Sequence, residues 1–264
     1  MSAPKDQHFL VDQRAVEKIA GSVDVSGRRV LEIGPGEGVL TRALLNRGAH
    51  VTAVEIDPAL VEELEFFFAD DIADGRLELI LGDATRVDFP PFDIVVANLP
   101  YSASSKITFQ LLERGFEVAV LMYQKEFARR MIVQPGRPGV GRLSVMMQTY
   151  ASVKPILELS PNAFSPRPQV RSWVVRITPH EPPYPLADQR VYADVVRVLF
   201  SYRRKTIRKA LRSGRDSFAP EVIERAIAGL PDDLLQQRPE NLSLEEFALI
   251  ANRMSACLEL PARG

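Results

Sequence analysis

The stretch LEIGPGEGVLT, residues 31–41, decides the fold class of this chain. An apolar run at 29–34 stops at glycines, and residues 38–47 then show the apolar spacing of a helix. Glycines in a turn between a strand and a helix let the backbone approach a ligand closely. The stretch therefore predicts the first strand–turn–helix unit of an open α/β sheet, with a ligand at the turn.

The same alternation of short apolar runs and helical patterns continues through about residue 180. Pro58 and Ser104 or Ser105 are good helix starts, and another helix runs through Met131. Strands that alternate with helices predict a parallel sheet with helices on both faces. Further strands are predicted at 50–57, 77–83, 92–100, 116–124, 153–159 and 172–177.

After Arg176 the pattern changes to that of a linker followed by helices. Residues 178–186 contain four prolines and show no periodicity. Beyond them every apolar pattern is helical, at 188–201, 204–213, 219–229 and 243–257. We therefore predict two domains, an α/β domain at 1–181 and a small all-α domain at 182–264.

Composition excludes several classes of protein. The 264 residues include one cysteine, Cys257, and three scattered histidines, which argues against a disulfide framework and a metal cluster. We expect no metal. No apolar run is long enough to span a bilayer, and the opening MSAPKDQ has no secretory pattern. We expect a cytoplasmic protein, and nothing in the sequence demands a dimer, so we expect a monomer.

The formal net charge of −1 conceals a strong segregation of charge. Residues 55–93 hold twelve acidic and two basic side chains, whereas 197–215 hold eight basic and no acidic ones. This pattern favours a neutral or cationic ligand at one end and a polyanion at the other. A solvated helix face is the alternative explanation of the basic stretch.

Acidic residues follow the predicted strands at the edge where an open α/β sheet binds its ligand. A pyrophosphate would be repelled there, which disfavours an NAD-dependent dehydrogenase, whereas S-adenosylmethionine carries a cationic sulfonium. Glu55 is placed to accept hydrogen bonds from ribose hydroxyls, and Asp83 from an adenine amino group. The acidic set is Glu32, Glu37, Glu55, Asp57 and Asp83.

The tetrapeptide NLPY, residues 98–101, ends the fourth predicted strand at the same edge. The side-chain oxygen of Asn98 and the backbone carbonyl of Leu99 could accept from the two N–H groups of an adenine amine. Pro100 stiffens the turn and keeps Leu99 out of helical geometry. Tyr101 offers a flat surface on which the base could stack. Such positioning lowers the barrier to methyl transfer without a strong base.

The chain resembles the ribosomal RNA small-subunit adenine dimethyltransferases nearly end to end. QHFL at 7–10, EIGPGEGVLT, VEID, GDA and NLPY resemble the family's cofactor and catalytic motifs. QKEFARRM, GRLSV and AFSPRPQVRS resemble its later blocks. LFSYRRKTIRKAL and RPENLSLEEFALIAN resemble its C-terminal domain in the form of archaeal and eukaryotic members.

This resemblance implies a Rossmann-like class I methyltransferase that uses S-adenosylmethionine. The implied reaction dimethylates two adjacent adenosines near the 3′ end of small-subunit rRNA, within a pre-ribosomal particle. The residues implied in catalysis are Asn98, Leu99, Pro100 and Tyr101, with Phe164 as the second aromatic wall of the base pocket. The candidate cofactor-binding residues are His8, Leu10, Gly34, Gly36, Glu55, Ile56, Asp83, Ala84 and Asn98.

Four positions depart from the family pattern. His8 stands where many members have Asn, and Lys106 is unusual beside a cationic cofactor, so we expect it to face RNA. Arg171 and Trp173 replace an acidic and a small residue. We expect Trp173 to pack between the sheet and a helix, with a stacking role as the alternative.

The basic C-terminal stretch predicts phosphate contacts. Ile207 and Leu211 lie one helical turn apart and are expected to face inward, which turns the basic side chains toward solvent. Arg129, Arg130, Arg137 and Arg142 could extend this track. The candidate RNA-binding residues are Arg203, Arg204, Lys205, Arg208, Lys209 and Arg212.

Two other functions remain open from the sequence. A large-subunit rRNA adenine methyltransferase shares the cofactor and NLPY-like motifs, and only the C-terminal blocks favour the small subunit. A mainly non-catalytic factor for assembly of the small subunit is the alternative from a different class of protein. The presence of Asn98 and Tyr101 favours an enzyme over that factor.

Overall fold

The computed structural model of the chain describes residues 7–259. Residues 1–6 and 260–264 lie outside this range. The expectation that the opening MSAPKDQ is not a secretory signal therefore concerns residues that, apart from Gln7, are not described. Nine strands are numbered in chain order: β1 Phe9–Leu10, β2 Arg29–Ile33, β3 His50–Glu55, β4 Leu77–Leu81, β5 Ile94–Asn98, β6 Val118–Gln124, β7 Ala151–Leu159, β8 Phe164–Ser165 and β9 Ser172–Pro179.

Twelve α-helices are described between residues 7 and 259. They are α1 Gln13–Ala20, α2 Val39–Leu45, α3 Pro58–Phe67, α4 Ala69–Ala73, α5 Ser104–Arg114, α6 Lys125–Met131, α7 Arg142–Tyr150, α8 Gln189–Ser201, α9 Ile207–Ser213, α10 Pro220–Ala228, α11 Asp232–Gln236 and α12 Leu244–Leu258. No helix in this part of the chain is both long and apolar enough to span a membrane.

Local sequence explains where several helices begin. Asp12 accepts hydrogen bonds from the backbone of Arg14 and Ala15 at the start of α1. Asp57 caps α3, and Pro58 occupies its first position, where a missing N–H costs nothing. Ser243 and Glu246 form a capping box at the start of α12.

The main sheet has seven strands in the order β4-β3-β2-β5-β6-β9-β7. The first five of these pair in parallel, whereas β6 and β9 pair antiparallel. The predicted Rossmann-like α/β fold is confirmed, but the sheet is mixed rather than wholly parallel. An apolar strand pattern does not encode strand direction, because direction depends on the connection between strands.

The strand order places a ligand crevice beside β2. From β2 the chain builds β3 and β4 on one side, and then crosses to build β5 and β6 on the other. Such a reversal opens a crevice outside the carboxyl ends of the strands, where α/β proteins bind their ligands. The in-register pairing of Ile33 with Val54 and of Asn98 with Met122 brings these ends to one edge.

The chain forms two compact units. The first contains the sheet and runs through Ala128 and from Ser152 to Pro179, while the second contains Arg129–Ala151 and the chain from His180 onward. The sequence predicts a single boundary near residue 182 and so leaves Arg129–Ala151 in the first domain. Within the second unit, however, Gly136 donates its N–H to Glu240 (3.0 Å), and the hydroxyls of Thr149 and Tyr192 lie 2.8 Å apart.

The basic helix is shorter than predicted. α9 begins at Ile207, not at residue 204, and residues 202–204 form a turn. Thr206 has an extended backbone, and the Ile207 N–H bonds to the Gln237 carbonyl at 2.8 Å instead of continuing a helix. The predicted inward orientation of Ile207 and Leu211 is confirmed, since both are buried.

Candidate active site

A cavity of about 450 Å³ opens in the first unit at the carboxyl ends of β2, β3 and β5. Residues 7–10, the turn after β2 and residues 98–103 form its walls. Among the described residues that line it, four are acidic and none is Lys or Arg: Glu32, Glu37, Glu55 and Asp83. This composition suits a neutral or cationic ligand and opposes a pyrophosphate. The described residues contain no group of side chains suited to a metal ion.

The glycine turn is shaped for close approach. Gly34, Gly36 and Gly38 have φ values of +69°, +56° and +77°, which side chains rarely tolerate. A Cβ on Gly36 would lie 2.7 Å from the Phe9 ring, so the ring packs directly on the turn. Phe9 also lines the cavity, and sequence reasoning did not single it out, although it lies within the quoted QHFL motif.

Glu55 is held rigidly at the end of β3. Its Oε1 accepts from the N–H groups of Ile56 (2.9 Å) and Asp57 (3.1 Å), and its Oε2 from that of Gly36 (3.3 Å). A carboxylate has about four acceptor positions, so capacity for a further donor remains. The side chain is buried, which makes its contacts strong.

Glu32 is a buried acid in the same wall. The hydroxyl of Thr41 donates to its Oε2 at 2.7 Å. Burial raises the pKa of Glu32 to about 8, opposed by the Thr41 hydrogen bond and aided by the nearby charge of Glu55. Glu32 is therefore largely protonated near neutral pH, which reduces its repulsion with Glu55.

Asp83 lies just after β4 and is charged at neutral pH. The backbone N–H of Thr85 donates to it at 2.8 Å, and this bond is the main cause of its lowered pKa. Arg86 and Lys106 lower the pKa further through their charge. Lys106 is exposed on the first turn of α5, near enough to Asp83 to act on it electrostatically.

The side-chain amide of Asn98 has a defined orientation. Its nitrogen donates to the backbone carbonyl of His8 at 3.0 Å. Because a carbonyl oxygen can only accept, the NH₂ group must face His8, and Oδ1 lies on the other side. Within residues 7–259 this Oδ1 receives no hydrogen bond, so it is available to a donor in the cavity that Asn98 lines.

His8 and Tyr101 close the same end of the cavity. The Nδ1 of His8 donates to the Pro166 carbonyl at 2.8 Å, and its ring lies 5.6 Å from that of Tyr101. The Tyr101 hydroxyl lies 2.8 Å from that of Ser172. The Pro100 carbonyl accepts from the Ser104 hydroxyl at 2.9 Å, which secures the turn between Tyr101 and α5.

Most of the predicted cofactor and catalytic residues come together around this cavity. They are His8, Leu10, Gly34, Gly36, Glu55, Ile56, Asp83, Ala84, Asn98, Leu99, Pro100 and Tyr101. Phe164 is not among the lining residues. It is buried in the core, and its strand pairs it with Leu10 in the cavity wall.

The predicted RNA-binding residues divide into two groups in the second unit. Arg208 is ion-paired with Asp232 (2.5 Å), Arg212 forms a two-point pair with Glu224 (2.7 Å), and Lys205 contacts Ser213 (2.8 Å). Arg203, Arg204 and Lys209 are exposed and make no ion pair within the described part of the chain. The side chain of Arg208 is 29% exposed and stays at the surface, but its charge is paired with that of Asp232.

Trp173 lies on β9 and is bound through its indole nitrogen. It is only partly covered, and its indole N–H donates to Glu158 at 2.9 Å. Lys125 lies 5.5 Å from the centre of its ring, and Arg171 also binds Glu158. Glu158 on β7 and Lys125 at the start of α6 both contact the indole, and the expected packing between sheet and helix stays a prediction.

The sheet topology, the glycine turn and the acidic cavity define a class I methyltransferase. The model of the family described as ribosomal RNA adenine dimethylase matches residues 5–252. A curated relative from Methanospirillum hungatei, described as a "Probable ribosomal RNA small subunit methyltransferase A", is 54% identical over 97% of this chain and 100% of its own length. The chain belongs to the ribosomal RNA adenine dimethylase family, and it is an rRNA methyltransferase that uses S-adenosylmethionine.

Two solved structures resemble nearly the whole chain. A dimethyladenosine transferase from Plasmodium falciparum has a TM-score of 0.75 and 28% identity, covering 92% of this chain and 96% of that one. The 23S rRNA methyltransferase ErmE has a TM-score of 0.67 and 28% identity, covering 94% and 99%. Because a dimethyladenosine transferase and a 23S rRNA methyltransferase both share the fold, the fold alone does not identify the RNA substrate.

Proposed function

We propose that this chain dimethylates the exocyclic amines of two adjacent adenosines near the 3′ end of small-subunit rRNA, within a pre-ribosomal particle. The observation that carries this proposal is the orientation of Asn98, whose Oδ1 has no partner among residues 7–259 and lies beside an acidic cavity. The description of the Methanospirillum relative as a small-subunit methyltransferase supports the choice of RNA.

The cavity fits S-adenosylmethionine, because acceptors surround it and no described Lys or Arg lines it. Glu55 would accept from the ribose hydroxyls and Asp83 from the adenine amino group. The backbone at Gly34 and Gly36 would lie along the ligand. Walls would come from His8, Leu10, Ile56 and Ala84. When bound, S-adenosylmethionine supplies a methyl group activated by the positive charge on its sulfur.

Asn98 and Leu99 would position the substrate amine. The Oδ1 of Asn98 and the carbonyl of Leu99 would each accept one N–H, which directs the nitrogen lone pair toward the methyl group. Tyr101 would stack on the base, with its hydroxyl anchored at Ser172. The surplus proton would leave to water. The role of Phe164 as a second aromatic wall stays a prediction, since Phe164 is buried and does not line the cavity.

An adenine inside a duplex cannot reach such a cavity, so the target must be single-stranded or flipped out. Phosphate contacts would come from the second unit, which contains 17 Lys and Arg residues and 12 Asp and Glu residues. The first unit has the opposite balance, with 16 basic and 22 acidic residues. We therefore assign cofactor binding to the first unit and RNA binding to the helical one. A monomer and a cytoplasmic location stay predictions.

The test is methyl transfer from labelled S-adenosylmethionine to small subunits that lack the modification. The wild type is compared with Asn98→Ala and with Asn46→Ala, a matched change at an exposed Asn outside the cavity. Label on two neighbouring adenosines near the 3′ end, lost only in Asn98→Ala while subunit binding persists, is the expected result.

Other outcomes would overturn parts of the proposal. Label on large-subunit RNA alone would keep the chemistry and reject the substrate. Tight binding of small subunits without transfer to any RNA would indicate an assembly factor instead of an enzyme.

A further inference from the structure

One side-chain cluster outside the cavity has no part in the function proposed above. The carboxylate of Glu158 on β7 accepts three hydrogen bonds at once, from Arg171 Nη1 (2.8 Å), Lys125 Nζ (2.8 Å) and Trp173 Nε1 (2.9 Å). Hydrogen bonds from Lys125, Trp173 and Arg171 lower the pKa of Glu158 to about 2. Glu158 therefore carries a negative charge at neutral pH. Because Lys125 and Arg171 are both positive, the cluster has a net positive charge.

The cluster is accessible and held in one arrangement. The side chain of Arg171 is 63% exposed and that of Lys125 is 33% exposed. Ser172 and Val174 are buried, whereas Trp173 between them is partly exposed, as strand alternation requires. Exposed ion pairs contribute little to folding, about 0–1 kcal/mol each, so stability does not account for three donors on one carboxylate.

The cluster lies at the same edge of the sheet as Asn98. β9 begins at Ser172, which pairs with Gln124 at the carboxyl end of β6. β6 in turn adjoins β5, whose last residue is Asn98. With strands about 4.8 Å apart, the start of β9 is roughly 10 Å across the sheet from the end of β5. The hydroxyls of Ser172 and Tyr101 lie 2.8 Å apart, which joins the start of β9 to the cavity wall. Trp173 is the next residue, and its side chain lies on the opposite face of β9, beside Lys125.

A flat indole beside a guanidinium and an ammonium is suited to a nucleotide. Bases of any sequence stack on an exposed aromatic ring, and basic side chains next to it bind the adjoining phosphate. Glu158 holds all three groups before a ligand arrives, which reduces the ordering cost of binding.

We propose that Trp173, Arg171 and Lys125 bind a nucleotide that flanks the target adenosine, with the base on the indole and its phosphate on the two cations. This inference rests on the proposed function for the identity of the RNA. It gives Trp173 a positioning role beside the active site, at the same edge of the sheet as Asn98.

The first test is the kinetics of methyl transfer to small subunits that lack the modification. Trp173→Ala should raise KM for the subunit roughly 5-fold to 100-fold while kcat stays within about twofold, as expected for loss of one stacking contact. Trp173→Phe, which keeps a flat ring, should recover most of this loss. Arg176→Ala is the matched control, because Arg176 is exposed on the same strand but bonds to Ser22. An unchanged KM in folded Trp173→Ala would overturn the proposal.

The second test does not depend on catalysis. Trp173 is the only tryptophan in the chain, so its fluorescence reports this site alone. Titration with a twelve-residue oligoadenylate should quench the emission to saturation, and Arg171→Ala or Lys125→Ala should weaken the quenching. Unchanged emission while filter retention shows oligoadenylate binding would reject the site. A wild type that quenches normally but labels no small subunit would reject the proposed function and keep this site.

Discussion

The side-chain nitrogen of Asn98 donates to the backbone carbonyl of His8 at 3.0 Å, which joins residues 90 positions apart in the chain. The bond connects the N-terminal segment to the end of β5 and determines which atom of the Asn98 amide is free. The Nδ2 donor of Asn98 thus fixes the position of Oδ1, the acceptor atom of the same side chain that would bind the substrate amine.

Asn98→Asp should be nearly as inactive as Asn98→Ala. The carboxylate keeps the size and the acceptor oxygens but places negative charge against the His8 carbonyl, which displaces the group and the His8 segment. We expect kcat to fall on the order of 100-fold, the scale of a catalytic group displaced by about 1 Å. Single-turnover methyl transfer to small subunits measures this. If Asn98→Asp retained the wild-type rate, orientation by His8 would be irrelevant to the reaction.

Gly36→Ala should weaken cofactor binding, whereas Gly75→Ala should not. Both glycines have positive φ, +56° and +69°, so both substitutions incur a similar backbone cost of roughly 1–2 kcal/mol. Only at Gly36 would the new methyl group meet another residue, the ring of Phe9.

Calorimetric titration with S-adenosylmethionine should show about a tenfold loss of affinity for Gly36→Ala, the scale of moderate overpacking. Equal affinities for the two variants would mean that contact between Phe9 and the turn does not shape the cofactor site.

Stability should depend on pH through Glu32. In the folded protein its pKa is raised from 4.5 to about 8 by burial, so the folded state holds a proton that the unfolded state releases. The stabilisation is therefore complete below pH 4.5 and is lost as the pH rises toward 8, by at most about 1.4 kcal/mol per pH unit.

Glu32→Gln is neutral at every pH and keeps an acceptor for Thr41. Its free energy of unfolding, relative to wild type, should rise between pH 5 and pH 8 in denaturant titrations. Glu63→Gln, at an exposed position on α3, is the control and should show no such trend. A difference between Glu32→Gln and wild type that stays constant over this range would contradict the assignment.

The basic residues of the second unit should contribute unequally to RNA binding. Arg203, Arg204 and Lys209 make no ion pair among the described residues, whereas Arg212 is bound at two points by Glu224. Each of Arg203→Ala, Arg204→Ala and Lys209→Ala should reduce the slope of log affinity against log salt by about 1. Arg212→Ala should reduce it less, because its charge is already compensated. Equal slopes for all four variants would show that the ion pair is given up on binding.

Much of the active site could be predicted because its residues lie directly after strands. Glu55, Asp83 and Asn98 are placed by the ends of β3, β4 and β5, and parallel strands bring those ends to one edge. Phe164 could not be placed this way. It lies in a two-residue strand, β8, whose pairing with β1 leaves no periodic signal.

Features that depend on contacts between distant parts of the chain could not be predicted from local sequence patterns either. The antiparallel direction of β9 depends on how the chain returns to the sheet, and the packing of Arg129–Ala151 in the helical unit depends on partners such as Glu240 and Tyr192. The start of α9 at Ile207 depends on a carbonyl 30 residues further on, that of Gln237.

The sequence by itself determined the alternation of strands and helices, the glycine turn, the acidic edge and the NLPY motif, because each of these is a local pattern with a period or a neighbour in the chain. Only the tertiary structure decided which way Asn98 points, that Phe9 covers Gly36, and which of the basic residues are already paired. Those features depend on contacts between side chains and backbone far apart in sequence, and such contacts exist only when the whole sheet and its helices have packed.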